Sequence, residues 1–221
     1  MITAPLRGDT YQPRRVNPSA EVIQALAGYA IDTVDLHTAL LPVTHDGGPA
    51  ALVHAIESIQ PDTVLCLGQA NGRNALSIER VAINLLDFSI PDNAGNSITD
   101  EPIVAEGPAA YFTTLPMRAL LAAIRKAGVP AELSMTAGAY LCNQALYTLL
   151  HHIAVNGLSI RAGFIHVPSL PEQVIDRPGP SMGLETMTTG VRAALNCLAK
   201  GVSVRDVNDP AAISSTCVYT A

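Results

Sequence analysis

Apolar residues along the chain fall into two rhythms, stretches with helical spacing and short, nearly continuous runs, and the two alternate. Asn17-Pro18-Ser19-Ala20-Glu21 combines a polar cap with a proline in the first turn. Val22, Ile23 and Leu26 then share one face, which predicts a helix to about Ala27. Residues 31–36 alternate apolar with polar, as a strand does, and Gly48-Pro49 opens an apolar-periodic helix through residue 59. Thr63-Val64-Leu65-Cys66-Leu67 is apolar almost throughout and stops at Gly68. That is the pattern of a strand covered on both faces, so the centre of the sheet is expected there. Further strands are predicted over 78–86, 131–135 and 164–167, the last stopped by Pro168. Helices are predicted over 115–127, closed by Gly128 and Pro130, over 141–153, and over 183–200. The tail from Gly201 receives no element.

Strands that alternate with helices over most of the chain predict an α/β protein, a three-layer sandwich with a mainly parallel central sheet. The 221 residues suit one domain spanning 1–221. Hydrophobic residues make up 48% of the chain and charged residues 14%, and there is no tryptophan. The core is therefore built from Ala, Val, Ile and Leu, a mix suited to helices packed on a buried sheet. The net charge is -6, and Lys and Arg are scattered singly except at Arg14-Arg15 and Arg125-Lys126. Without a basic stripe to displace counterions, no nucleic-acid partner is expected. The longest apolar runs, such as 146–153, are interrupted by His151 and His152, so no membrane span is expected. Met1-Ile2-Thr3-Ala4-Pro5 lacks the charged start and apolar run of a secretory signal, which points to the cytoplasm.

In that compartment Cys66, Cys142, Cys197 and Cys217 default to thiols, and no C-x-x-C pair marks a zinc or redox site. Cys142 differs from the others by its position at the start of a predicted helix, where the positive end of the helix favours a thiolate. Gly138 just before it permits a tight strand-to-helix turn. Cys66 falls inside the buried-looking strand, where desolvation keeps a thiol inert. Cys197 reads as a packing residue of the last helix, and Cys217 sits near the C-terminus.

His166 ends a predicted strand beside a proline, from which a side chain can project over a sheet edge into a cleft. Taken alone, it reads more readily as a hydrogen-bonded structural histidine. Glu79 is an acid within an apolar strand, and taken alone it reads as an ion pair with Arg80 or as a solvated edge. Together the three supply a nucleophile, a general acid/base and a carboxylate to orient the imidazole. His151 and His152 are adjacent on a helix and point in different directions, which argues against a metal pair.

With these residues in place, the chain resembles the pyroglutamyl peptidase I (pyrrolidone-carboxylate peptidase) family of cysteine peptidases. The resemblance rests on Val16-Asn17-Pro18-Ser19, Gly68-Gln69-Ala70-Asn71-Gly72-Arg73, Ser77-Ile78-Glu79-Arg80-Val81-Ala82-Ile83-Asn84 and Ile90-Pro91-Asp92-Asn93. It continues through Ala110-Tyr111-Phe112-Thr113-Thr114-Leu115-Pro116, Ala137-Gly138-Ala139-Tyr140-Leu141-Cys142-Asn143, Gly163-Phe164-Ile165-His166-Val167-Pro168, Leu170-Pro171-Glu172-Gln173 and Pro180-Ser181-Met182. It implies an α/β/α sandwich, a homotetramer or other homo-oligomer, no metal or organic cofactor, and N-terminally pyroglutamylated peptides as substrates. It also implies a catalytic triad of Glu79, Cys142 and His166. For the substrate pocket it implies Gln69, with Ala70 and Asn71 of the same loop, together with Tyr11, Ile90, Tyr140 and Leu141. For Ile90 and Leu141, ordinary core packing is the competing reading.

Two positions depart from the family pattern. The register set by Asn17-Pro18-Ser19 places Gly8 and Tyr11 where the family has two aromatic rings flanking the lactam, so one ring wall is missing. Ser89 stands where the family has an arginine, and Arg73 and Arg80 are the nearby cations that could replace it. Two other readings of the sequence stay open on this account, a binding or regulatory homologue and a cysteine hydrolase of a different small cyclic amide.

Overall fold

The computed structural model describes residues 16–32, 34–200 and 214–220. Expectations for Gly8, Tyr11 and the 7–15 loop lie outside the described residues. The first helix, α1 (Pro18–Ala25), begins where the sequence places it, with the Asn17 side chain accepting the Ser19 N–H. Strand β1 (Val34–Leu40) follows, then α2 (Gly47–Ile59), β2 (Thr63–Gln69), β3 (Leu76–Glu79) and β4 (Val81–Ile83). After these come β5 (Ala110–Phe112), α3 (Met117–Lys126), β6 (Ala131–Ser134), α4 (Leu141–Val155), β7 (Arg161–Val167), α5 (Leu184–Ala199) and β8 (Ser214–Thr220). Among the described residues no helix is long and apolar enough to cross a membrane.

Six strands form one sheet in the order β1-β8-β2-β7-β3-β6. Every neighbouring pair is parallel except β7 and β3, which run antiparallel. The period-2 alternation of strand side chains sorts the apolar residues onto two faces. On one face, Leu65 and Leu67 of β2, Leu76 and Ile78 of β3, and Ile165 and Val167 of β7 pack with residues of α1, α3 and α5. On the other, Val64, Cys66, Ala162 and Phe164 pack against Leu52 and Ile56 of α2 and Leu146, Leu149, Leu150 and Ile153 of α4. The result is the expected three-layer α/β arrangement, with β2 buried on both sides.

Two expectations need correction. The single strand over 78–86 is two strands, broken at Arg80. The Arg80 N–H donates to the Ser134 carbonyl on the main sheet, while its own carbonyl accepts from Thr113 on the β4-β5 ribbon. Arg80 is thus where the chain leaves one sheet for another, a change that hydrophobic periodicity does not register. The tail from Gly201 contains β8, which occupies the slot between β1 and β2. A run as polar as Ser214-Ser215-Thr216 does not look like a central strand, yet Val218 beyond it is fully buried. The first strand also starts later than the alternation suggests, because the Val34 N–H turns back onto the Ile31 carbonyl.

Helix α5 approaches the sheet closely at Gly190. A Cβ there would collide with Leu76 Cδ1 and lie 3.0 Å from Val129 Cγ1. Alanine is intrinsically better than glycine in a helix by about 1 kcal/mol, but overpacking a filled core costs about 1–3 kcal/mol. Gly190→Ala should therefore lower the urea midpoint at unchanged m-value; a raised midpoint would show that α5 is loosely packed here.

Candidate active site

The site is assembled at the end of β2 and β7, on the sheet face covered by α4. Along β7, Ala162 and Phe164 pack on that face, so the alternation sends the His166 side chain to the same side. Its neighbours in register are Gly68 on β2 and Ser77 on β3. Glu79, two residues beyond Ser77, shares Ser77's face and lies diagonally across the antiparallel seam from His166. The His166 Nδ1–H donates to Glu79 Oε1 at 2.7 Å, and both side chains are buried.

Cys142 comes to this point from the opposite layer. Gly138, at φ +82, turns the chain between β6 and α4, and its N–H donates to the Thr136 hydroxyl. Tyr140 stands at the N-cap in an extended conformation and supplies no side-chain cap. The first N–H groups of α4 are thus left without a cap from that side chain, and a helix N-terminus of this kind favours negative charge beside it. Asn143, fully buried, fixes the start of the helix. Its Oδ1 accepts from the Ile83 N–H, and its Nδ2 donates to the carbonyls of Ile83 and Leu85.

Gly68 makes the space that the sulfur occupies. A Cβ at this glycine would lie 2.8 Å from Cys142 Sγ and 2.7 Å from Phe164 Cζ. The sulfur thus sits over the register partner of His166, which brings it beside the imidazole ring. With Nδ1 taken by Glu79, Nε2 is the nitrogen left to face it. Burial by itself would push the imidazole toward the neutral form. The Cys142 thiolate and its hydrogen bond, with the hydrogen bond and charge of Glu79, outweigh that effect and push the His166 pKa up to about 9.

Glu79 contradicts both of its bland readings. It is 0% exposed, and its cationic partner is Arg73, whose Nη1 lies 2.9 Å from Oε1. Arg80, the next residue in the chain, makes no ion pair with the carboxylate. Arg73 also donates through Nη2 to the Thr136 carbonyl, so its guanidinium is committed and does not replace an arginine at the exposed Ser89.

Of the expected pocket residues, Gln69, Ala70, Asn71, Ile90, Tyr140 and Leu141 are among the described residues. Gln69 Nε2 donates to Asn71 Oδ1 and, at 3.2 Å, to Ser169 Oγ and Gln173 Oε1. The Ala70 N–H donates to the Val167 carbonyl, which ties the 69–71 loop to the end of the histidine strand. Leu141 is buried with Leu86 and Phe88, so for it core packing holds, whereas Ile90 is 59% exposed and is not a core residue. Tyr140 stacks edge-on against Phe88 and donates its hydroxyl to the Pro91 carbonyl. The loop beyond Ile90 is stiffened by Asp92, which accepts hydrogen bonds from His45, Ala94 and Asn96. Burial opposes its charge, but these donors hold its pKa at about 2.

Sequence reasoning passed over Gly68, Asn143, Ser169, Gln173 and the role of Arg73. The glycine-rich loop that carries Gln69 also carries Arg73, a signal that could have drawn attention to it. Nothing in the spacing marks Ser169 or Asn143. Among the described residues, no group of three or more His, Cys, Asp or Glu side chains is placed to hold a metal ion.

A cysteine at a helix N-terminus, facing an imidazole held by a buried carboxylate, defines a cysteine-type hydrolase. Comparison with known proteins narrows the class. A family model described as pyroglutamyl peptidase matches residues 7–201. Pyrrolidone-carboxylate peptidase 1 of Photorhabdus laumondii is 45% identical over 194 residues, covering 85% of this chain and 88% of that protein. The Bacillus licheniformis pyrrolidone-carboxylate peptidase is 44% identical over 186 residues, covering 84% and 86%. The crystal structure of Bacillus amyloliquefaciens pyroglutamyl peptidase I superposes with a TM-score of 0.81 at 40% identity, covering 84% of this chain and 90% of that one. A mutant pyrrolidone carboxyl peptidase from the hyperthermophile Pyrococcus furiosus gives 0.82 at 39% identity, covering 86% and 93%. The chain belongs to the pyroglutamyl peptidase family of cysteine peptidases.

Because Gly68 leaves no room for even one methyl group, Gly68→Ala should displace the sulfur or the Phe164 ring. It is expected to cost about 1–3 kcal/mol of stability in urea unfolding and to slow alkylation of Cys142 by iodoacetamide. Unchanged alkylation would mean that the sulfur does not rest on Gly68.

Proposed function

We propose that Cys142, His166 and Glu79 carry out the peptidase reaction of this enzyme, hydrolysis of the bond after an N-terminal pyroglutamyl residue. The observation that carries the proposal is the buried Glu79–His166 hydrogen bond together with the Cys142 sulfur seated over Gly68, the register partner of His166. The thiolate attacks the carbonyl carbon that joins pyroglutamate to the next residue, and the carbonyl electrons move onto oxygen. The uncapped N–H groups at the start of α4 are suitably directed to receive that oxyanion. As the tetrahedral intermediate collapses, the C–N bond breaks and protonated His166 gives its proton to the departing amine. A water then loses a proton to His166 and attacks the thioester, releasing pyroglutamate and the Cys142 thiolate. Through both steps Glu79 holds the ring in one orientation and stabilises the imidazolium.

Pyroglutamate is a neutral lactam, so its pocket calls for hydrogen bonds and apolar walls rather than a countercharge. The polar 69–71 loop fits the first requirement, and the exposed Ile90 with the partly exposed Tyr140 fits the second. Core packing of Leu141 limits it to backing Tyr140. The intact contact between nucleophile, imidazole and carboxylate favours turnover over a role as a binding homologue. A thiol nucleophile works only in its reduced form, which supports a cytoplasmic setting. A single domain over 1–221 is supported by the continuous family match and the six-stranded sheet. Exposed Phe112 and Val155 support assembly into a homo-oligomer, a dimer or tetramer.

Release of a fluorogenic amine from its pyroglutamyl amide tests the reading. The reduced protein should release it, Cys142→Ala should lose at least about a thousandfold in kcat, and absence of release by folded wild type would overturn the assignment. The pH profile is a second check. A raised His166 value means that the proton needed by the leaving amine is present in the free enzyme below about 9 and lost above it, so kcat/KM should fall on the alkaline side near pH 9. A fall already complete near pH 6.5 would place the proton donor elsewhere.

A further inference from the structure

Glu79 is the most deeply buried charge in the site, and one arginine accounts for much of its surroundings. Its Oε1 accepts the His166 Nδ1–H at 2.7 Å and forms an ion pair with Arg73 Nη1 at 2.9 Å. Its Oε2 is buried with no hydrogen-bond partner. Removing Arg73 would leave a solvent-inaccessible carboxylate without its permanent cationic partner, a costly state for a buried charge.

The other arm of the guanidinium reaches the Thr136 carbonyl at 2.9 Å. Thr136 belongs to the turn that delivers Cys142: its hydroxyl accepts the Gly138 N–H, and Ser134 Oγ bonds back to the Thr136 carbonyl. One planar, permanently charged group therefore ties the carboxylate on β3 to the turn that carries the nucleophile. A lysine could supply the charge but not both directed bonds at once.

The geometry points to Arg73 as a positioning residue that sets Glu79 and the 134–138 turn relative to each other, and so holds the His166 ring against Cys142. This inference rests on the proposed roles of Cys142, His166 and Glu79. Arg73 has no direct part in bond making, and its effect is transmitted through Glu79.

Arg73→Met, which keeps the length of the stem, should lower kcat on the pyroglutamyl amide roughly a hundredfold while KM changes less than about threefold. Arg73→Lys should recover about a tenth of wild-type kcat, because the charge returns without the fork. In a Glu79→Gln background, Arg73→Met should cost no more than about a further threefold, since the two residues act as one unit. The double variant replaces the buried ion pair by neutral groups, so it remains interpretable if Arg73→Met alone does not fold. Iodoacetamide alkylation of Cys142 provides a readout independent of the substrate. With the His166 ring no longer held against the sulfur, alkylation should slow about tenfold at pH 7 in Arg73→Met.

Wild-type kcat in Arg73→Met, a rise in KM alone, or a full hundredfold loss on top of Glu79→Gln would each overturn the inference. If the wild type released no amine from pyroglutamyl amides, the substrate reading would fall while the alkylation comparison still decided the role of Arg73. Unchanged alkylation in Arg73→Met would count against that role whatever the substrate proves to be.

Discussion

A carboxylate with no exposure to solvent is costly, and in this protein the arrangement of the catalytic end of the sheet follows from how that cost is offset. Glu79 lies in the protein interior with one oxygen shared between an imidazole and a guanidinium. Neither partner is optional on electrostatic grounds, because an unpaired buried charge costs several kcal/mol. The same low-dielectric setting that penalises the charge strengthens its hold on His166. Desolvation alone would favour a neutral ring, and it is the combination of Cys142 and Glu79 that reverses this preference.

The reversed direction of β3 and β6 within an otherwise parallel sheet is what brings these groups together. At the β7-β3 seam, Ser77 faces His166 and Glu79 faces Phe164. The carboxylate is therefore one pair of residues away from the imidazole on the same face, and the His166 ring closes the remaining gap. On the other side of His166 the register partner is Gly68, and only a residue without a side chain leaves room there for the sulfur. The chain that follows Glu79 leaves the sheet at once. Arg80 passes it to the β4-β5 ribbon, and the end of β4 is where Asn143 anchors the start of α4. Carboxylate, imidazole and thiol thus come from β3, β7 and α4, and each location is fixed by backbone pairing or by a buried side chain.

These relations explain which parts of the protein could be read from its sequence. Helices with a clear apolar stripe, such as α1 and α5, and the doubly buried β2 were legible because burial leaves a periodic imprint on residue type. Cys142 was legible as a candidate because a glycine turn and a helix start flank it. Sheet membership was not legible. Residues 78–83 read as one apolar run, although Glu79 and Val81 belong to different sheets, since both environments demand the same residue types. Strand β8 was missed because its start is hydroxyl-rich and its place between β1 and β2 is a long-range pairing with no local signature. Glu79 was misjudged for a related reason. The sequence offers Arg80 as the nearest cation, but Arg80 sits at the break between two sheets, and the partner is Arg73, supplied by the loop between β2 and β3.

The chemical centre and the pocket wall differ in how tightly they are held, and this bears on which substitutions the protein can absorb. Around Cys142, a single methyl at Gly68 meets two side chains, and Asn143 uses its whole amide on backbone groups. Ser89 and Ile90, by contrast, are exposed on a loop whose shape comes from the Asp92 hydrogen bonds beyond them rather than from their own contacts. A change at Ser89 can therefore occur without disturbing the Glu79–His166–Cys142 contact. The serine in place of the family's arginine is then a surface difference that leaves the buried groups as they are. Arg73 cannot be reassigned to fill it, because its two arms already serve Glu79 and Thr136. Variation in specificity is free to accumulate on the exposed loop, while the buried ion pair constrains everything within reach of the sulfur.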